Sequence, residues 1–131
     1  MFNRKKQPPI KSLIAHGTQI SGHISFSEGL RVDGIVNGNL LAVEGHQSIL
    51  VISETASVEG EIRADHVIIN GSVTGPIHAS ELLELQPKAQ IRGDVHYKAL
   101  EMHQGATVAG LLRPMLIAEE KPTLVLAANN G

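Results

Sequence analysis

The sequence predicts an all-β protein in which about six coils of a parallel β-helix stack into one rod. The first observation is a recurring motif: a branched aliphatic residue, any residue, glycine, any residue and a second aliphatic residue. Its six copies carry the glycines Gly22, Gly38, Gly60, Gly75, Gly93 and Gly110, spaced 16, 22, 15, 18 and 17 residues apart. The second observation is the inward and outward alternation within each copy, and the third is the turn signals between copies.

The alternation favours strands over helices, because every second residue of a strand points to the same face. Valine and isoleucine are restricted in a helix and glycine weakens it, so the composition of the motif also disfavours helix. Asp33-Gly34 and Asn70-Gly71 are turn signals between the strands. A repeat of about 17 residues with three short strands fits one coil of a triangular solenoid, with coils about 4.8 Å apart.

Aliphatic residues at matching positions are expected to stack into ladders that form the core. One ladder is Ile24, Leu40, Ile62, Ile77, Val95 and Leu112. The other is Ile20, Val36, Val58, Val73, Ile91 and Val108. A half-motif of two aliphatic residues lies between the copies at Leu30 and Val32, Val67 and Ile69, Leu83 and Leu85, and Leu100 and Met102.

Length and composition indicate one domain with tails. The chain has 131 residues, a net charge of −2 and no cysteine. It is therefore not expected to bind nucleic acid, and disulfides and thiolate metal sites are excluded. The repeat places the β-helix at residues 16–113, a flexible basic N-terminal tail at residues 1–15 and a flexible C-terminal tail at residues 114–131. No apolar stretch follows the basic residues, so a secretory signal is not expected.

The spacing of 22 residues between Gly38 and Gly60 marks an insertion in the second coil. The polar stretch at residues 44–48 is the best candidate for a loop that leaves the rod, because insertions in solenoids map to loops. A tolerated surface loop is favoured there over a binding loop.

The ends of the rod are expected to be prone to self-association. A β-helix end exposes unpaired backbone groups and apolar core, and open strand edges recruit other strands. Solenoids that stay monomeric carry polar caps, whereas this chain is apolar where its caps should be. We expect the end faces to associate with other copies through Leu13, Ile14, Ile20, Leu111, Leu112 and Met115. The alternative is that Leu111, Leu112 and Met115 fold back into their own core.

The six motifs, the chain length and the opening Met-Phe followed by Arg4, Lys5 and Lys6 resemble the bactofilins, bacterial polymer-forming cytoskeletal proteins. The resemblance covers residues 20–112. It implies a right-handed triangular β-helix that assembles end to end into filaments, with non-polar filaments favoured and no nucleotide or other cofactor. It also implies a cytoplasmic scaffold at the inner face of the cytoplasmic membrane, which localises cell-wall or morphogenetic proteins and influences cell shape.

The resemblance further implies membrane contact through the N-terminal tail, and the residues of the tail suit that role. Phe2, after Met1, is an apolar wedge, and Arg4, Lys5 and Lys6 attract anionic lipid head groups. Each such charge contributes about 1 kcal/mol near an anionic surface. One tail therefore binds weakly, and a filament that presents many tails binds by avidity. A solvated tail is the alternative.

The seven histidines raise the question of a metal site. His78 and His96 each follow a repeat glycine by three residues, so they are expected to stack on adjacent coils and point outward. Two imidazoles without a third placed ligand make a poor catalytic zinc site. We therefore predict no metal, no catalytic residue, no cofactor-binding residue and no enzymatic activity.

Two alternatives to a filament remain. A left-handed β-helix acyltransferase or a related zinc-dependent enzyme shares the aliphatic, glycine-rich composition, but it needs a steady six-residue period that the glycine spacings do not keep. A monomeric β-helix adaptor would only bind a partner protein, and particle size in solution separates it from a polymer.

Overall fold

A computed structural model of the protein describes residues 8–115. Most of the two predicted tails, residues 1–7 and 116–131, lies outside this range. Within it the chain forms fifteen strands and no helix. The strands are β1 Ile10–Ile14, β2 Gln19–Ser21, β3 Ile24–Phe26, β4 Gly29–Val32, β5 Ile35–Asn37, β6 Leu40–Ala42, β7 Ile49–Ile52, β8 Ser57–Glu59, β9 Ile62–Ile69, β10 Ser72–Thr74, β11 Ile77–Leu85, β12 Gln90–Arg92, β13 Val95–Met102, β14 Thr107–Ala109 and β15 Leu112–Pro114.

All strand pairs are parallel, and they form three faces of a rod. The first face holds β3, β6, the first halves of β9, β11 and β13, and then β15. The second face holds β1, β4, β7 and the second halves of β9, β11 and β13. The third face holds β2, β5, β8, β10, β12 and β14. The predicted all-β parallel solenoid of about six coils is confirmed, and its right-handed winding stays a prediction of the resemblance.

The aliphatic residues of the motif lie in register along the rod. On the first face the register runs from coil to coil through Ile24, Leu40, Ile62, Ile77, Val95 and Leu112. On the third face it runs through Ile20, Val36, Val58, Val73, Ile91 and Val108. The inner members of both ladders are at most 1% exposed. Complete burial of such a side chain stabilises the fold by about 1.5–3 kcal/mol before entropy is counted, so the coils stabilise one another.

The first strand differs from the predicted N-terminal tail of residues 1–15. Residues Ile10–Ile14 form β1, which pairs with β4 on the second face. Ile14 is opposite Val32 and is only 8% exposed. The strand lacks the glycine motif, which is why it was not predicted from the repeat. Its last residue, Ile14, nevertheless lies in line with the buried Val32 of the next coil.

The repeat glycines stack at one corner of the rod, where successive coils come very close. A Cβ atom added to Gly60 would overlap the carbonyl oxygen of Gly38 in the coil beside it. Gly60 also has a φ of +152°, a conformation that side-chain-bearing residues rarely adopt. The motif therefore needs glycine both for its backbone angle and for the contact between coils.

Replacing Gly60 with alanine is expected to cost about 3 kcal/mol or more of unfolding free energy, because strain and overlap with fixed backbone add. Gly22 is the matched control: its φ is +131°, but an added Cβ meets nothing within 4 Å. Gly22→Ala should cost only the strain, about 1–3 kcal/mol. Urea unfolding measures both costs, and equal costs would contradict the close packing of the glycine column.

Candidate functional site

The rod ends at strands that have a neighbour on one side only. At the N-terminal end, β1, β2 and β3 pair with β4, β5 and β6 and with no other described strand. At the C-terminal end the same holds for the second half of β13, for β14 and for β15 within residues 8–115. Each end therefore presents rows of backbone N–H and C=O groups that another strand can pair with.

The C-terminal end leaves part of the core open. Leu112 is in register with the buried Val95, yet 47% of it is exposed. Met102 is in register with the buried Leu85 and is 45% exposed. Leu111, next to Leu112 in the sequence, is 54% exposed. Met102 was not among the predicted end-face residues, although its place as the last member of the half-motif was the signal for it.

The N-terminal end is less open, and one predicted residue lies to its side. Ile20 and Ile24 are half-buried members of the two ladders, and Ile14 is buried. Leu13 is in register with the exposed Arg31 and is 58% exposed. Because side chains alternate along a strand, Leu13 points out of the second face and borders the end without forming its core.

Met115 also differs from its predicted place on the end face. Its backbone N–H donates a 2.6 Å hydrogen bond to the carbonyl oxygen of Tyr97. Its half-buried side chain lines a groove on the side of the rod. The fold-back alternative thus does not describe Leu111 or Leu112, and Met115 turns toward the groove.

Asp94 fixes the backbone next to the exposed leucines. Its Oδ1 accepts a 3.0 Å hydrogen bond from the backbone N–H of Leu111, and its Oδ2 lies 3.4 Å from Nε of Arg113. The Leu111 N–H, followed by Arg113, lowers the pKa of the Asp94 carboxyl below its usual value. The last corner is therefore held in place while the Leu111 side chain stays in solvent.

The two histidines stack as predicted, on the outer side of the first face. The rings of His78 and His96 have centroids 4.4 Å apart and planes 11° from parallel. His78 Nε2 lies 3.5 Å from a carboxylate oxygen of Glu61. Burial lowers the pKa of His78, as do its neighbours Arg63 and His96, whereas Glu61 acts in the opposite direction. The environment of the stack therefore favours the neutral form of His78.

The predicted insertion forms a loop between β6 and β7, at the corner of the first and second faces. Together with Arg63, Asp65, His78, Ser80, Glu81 and Met115, the loop at residues 43–48 encloses an open groove of about 530 Å³. Ser48 and Asp65 attach the loop to the next coil through two 3.0 Å hydrogen bonds, each from a backbone N–H to the other's side chain. The hydroxyl of Ser80 also donates a hydrogen bond to the Asp65 carboxylate. The groove was not predicted, because its walls are distant in sequence.

One group of side chains in the described range has atoms placed for a cation. Glu84, Glu101 and His103 bring their possible ligand atoms within 4.8 Å of one another on the second face. Two of the three residues are exposed, and exposed acidic groups of this kind are common without an ion. The prediction that the chain uses no metal is therefore kept as a prediction.

A regular rod with open core at its end defines a β-solenoid suited to association with further strands. A family model described as bactofilin, polymer-forming cytoskeletal, matches residues 12–113. The chain therefore belongs to the bactofilin family.

Two relatives from Myxococcus xanthus (strain DK1622) are similar to this chain. Bactofilin BacO is 30% identical over 109 residues, which cover 83% of this chain and 83% of that protein. Bactofilin BacP is 27% identical over 111 residues, which cover 81% of this chain and 45% of that protein, so the match spans less than half of BacP. No solved structure gives a significant match.

The lowered pKa of His78 predicts that the rod loses stability in acid. The unfolded chain takes up a proton near the usual histidine pKa of about 6.5, whereas the folded chain resists it. The stability that neutral His78 contributes is complete above about pH 6.5 and is lost as the pH falls from there through the lower pKa of the folded chain. Urea midpoints at about pH 7.5 and pH 5 should therefore drop less on acidification in His78→Asn than in the unaltered protein. His46→Asn, in the exposed loop, is the control, and an equal drop in all three proteins would contradict the role of the stack.

Proposed function

We propose that this bactofilin is a cytoskeletal scaffold that polymerises end to end without nucleotide. The observation that carries the proposal is the exposure of Leu112 at the end of a ladder whose inner members are completely buried. Another coil placed on that end would bury it as Val95 is buried. Membership of a polymer-forming family favours this scaffold over the enzyme and the monomeric adaptor.

The proposed contact combines apolar burial with strand pairing. Leu112, Met102 and Leu111 are each about half exposed. Complete burial of one such side chain contributes about 1.5–3 kcal/mol, so covering the exposed half contributes about half of that for each residue. The outer edges of β14 and β15, which pair with no further strand within residues 8–115, add backbone hydrogen bonds across the junction. Because association also costs translational and rotational freedom, assembly should depend strongly on concentration.

The proposed filament is non-polar. The N-terminal and C-terminal ends differ in how much core they expose, since Ile14 is buried and Leu112 is half exposed. Contact between like ends is isologous, so each residue meets the same surface on the other copy. A filament of alternating like-end contacts has no overall direction, in agreement with what the resemblance implies.

The proposed location is the inner face of the cytoplasmic membrane. Met1, Phe2, Arg4, Lys5 and Lys6, the predicted contact residues, lie outside the described residues. Within residues 8–115 there is no helix long and apolar enough to cross a membrane. We propose that the tails of a filament bind anionic lipids together and that the rods localise cell-wall or morphogenetic proteins, which would influence cell shape.

Leu112→Arg tests the end contact. A charge placed against an apolar face is costly to bury, so the variant should raise the concentration needed for assembly by more than about tenfold. Negative-stain electron microscopy and sedimentation without nucleotide measure this. Ile35→Arg is the matched control, since Ile35 is 41% exposed on the side of the rod. Unchanged filaments in Leu112→Arg, or an equal loss in both variants, would count against the end contact.

Deleting residues 2–6 tests the membrane contact. The deletion removes three cations and Phe2, so co-sedimentation with liposomes that contain anionic lipid should fall to the level seen with neutral liposomes. Filament formation, followed in the same samples, should persist. Unaffected liposome binding would remove the tail from the proposal.

A further inference from the structure

The groove beside the loop has an excess of negative charge. Glu44, Asp65 and Glu81 line it, and the only lysine or arginine among its described lining residues is Arg63. Arg63 is already paired with Glu61. Two further lining residues, His46 and His78, add positive charge only when protonated. The groove therefore suits a segment that carries several cations.

The groove also has apolar surface. Val43 is 44% exposed on the loop, and the half-buried Met115 also lines the groove. Ala42 and Ala64 are further apolar residues of the lining. A segment that combines an aromatic or aliphatic side chain with cations would match both properties.

The first seven residues of this chain have that composition. Phe2 is aromatic, and Arg4, Lys5 and Lys6 supply three positive charges within three consecutive positions. Apart from this cluster and Lys121, the lysines and arginines of the chain stand singly within the solenoid. Charge complementarity thus favours the N-terminal segment as the occupant.

The segment also joins the rod at the corner that carries the groove. Ile10, Gly29, Ile49, His66 and Leu82 are successive register partners along the corner that carries the loop. A Cβ added to Gly29 would overlap the backbone of Pro9, so the chain enters the rod in direct contact with this corner. The four steps from Ile10 to Leu82 amount to about 19 Å. Seven extended residues span about 23 Å, so residues 1–7 reach the groove as far as the coil of Ser80 and Glu81.

We propose that residues 1–7 dock in the groove of their own chain, with Arg4, Lys5 and Lys6 against its carboxylates and Phe2 against its apolar wall. The docking depends only on the groove and the segment. Its consequence rests on the proposed membrane contact: the same three cations cannot bind the groove and lipid head groups together. Only chains with an undocked segment bind the membrane, so the apparent affinity equals the intrinsic affinity multiplied by the undocked fraction.

Disulfide formation tests the docking directly, because the natural chain has no cysteine. The probe is Asn3→Cys combined with His46→Cys, which keeps every carboxylate of the groove and every cation of the segment. The control is Asn3→Cys combined with Thr74→Cys, an exposed position on the third face. Under mild oxidation the first pair should cross-link within one chain at least about five times faster than the control. Equal rates, or cross-links only between chains, would overturn docking of a chain in its own groove.

Neutralising the groove tests the consequence. In full-length protein, Glu44→Gln with Glu81→Gln should slow the 3–46 cross-link and raise the bound fraction on anionic liposomes about threefold at low lipid. Glu54→Gln with Glu59→Gln changes the net charge equally at exposed sites outside the groove and should do neither. If no variant binds liposomes but the cross-link slows, docking is supported and the membrane contact fails. If the groove variant leaves the cross-link unchanged, the docking proposal is overturned whatever the liposomes show.

Discussion

The aliphatic side chains of each coil can be buried only by the coils on either side of it. Val58 and Ile62 are fully buried because matching residues lie above and below them. The glycine corner makes this stacking possible, since any side chain at Gly60 would hold the coils apart. The same constraint leaves the last coil incomplete, and a core that needs a neighbour on both sides is a core that can be extended by another copy.

The sequence predicted the regular part of the fold because the repeat carries the register with it. Once Gly38 and Gly60 are aligned, Leu40 must lie opposite Ile62, and the structure places them so. The first strand escaped prediction because it has no glycine motif and only Ile14 completes an inner column. End-face residues were harder to predict. Leu13 points out of the side of the rod, whereas Met102 continues the inner column of Leu85, and this difference depends on strand phase at coils where the motif is weakest.

The outer surface was less predictable than the core, because nothing in the repeat determines which outward residues become neighbours in three dimensions beyond those at equal positions. The stack of His78 on His96 was predictable, since both residues occupy the same position of the motif. The groove was not, since it depends on an insertion that breaks the repeat and on Met115 approaching from the far end of the domain. Departures from the repeat are therefore where this protein differs from a plain rod.

The proposed polymer requires that one rod continues into the next through its end faces. Electron cryo-microscopy of filaments assembled without nucleotide shows whether the rods join in this way. We expect a continuous strand ladder with a spacing of about 4.8 Å across every junction, and an axial rise of about 29 Å for each six-coil chain. Leu112 should be buried at a junction. Filaments joined through the sides of the rods, or a ladder interrupted at the junctions with Leu112 still in solvent, would contradict it.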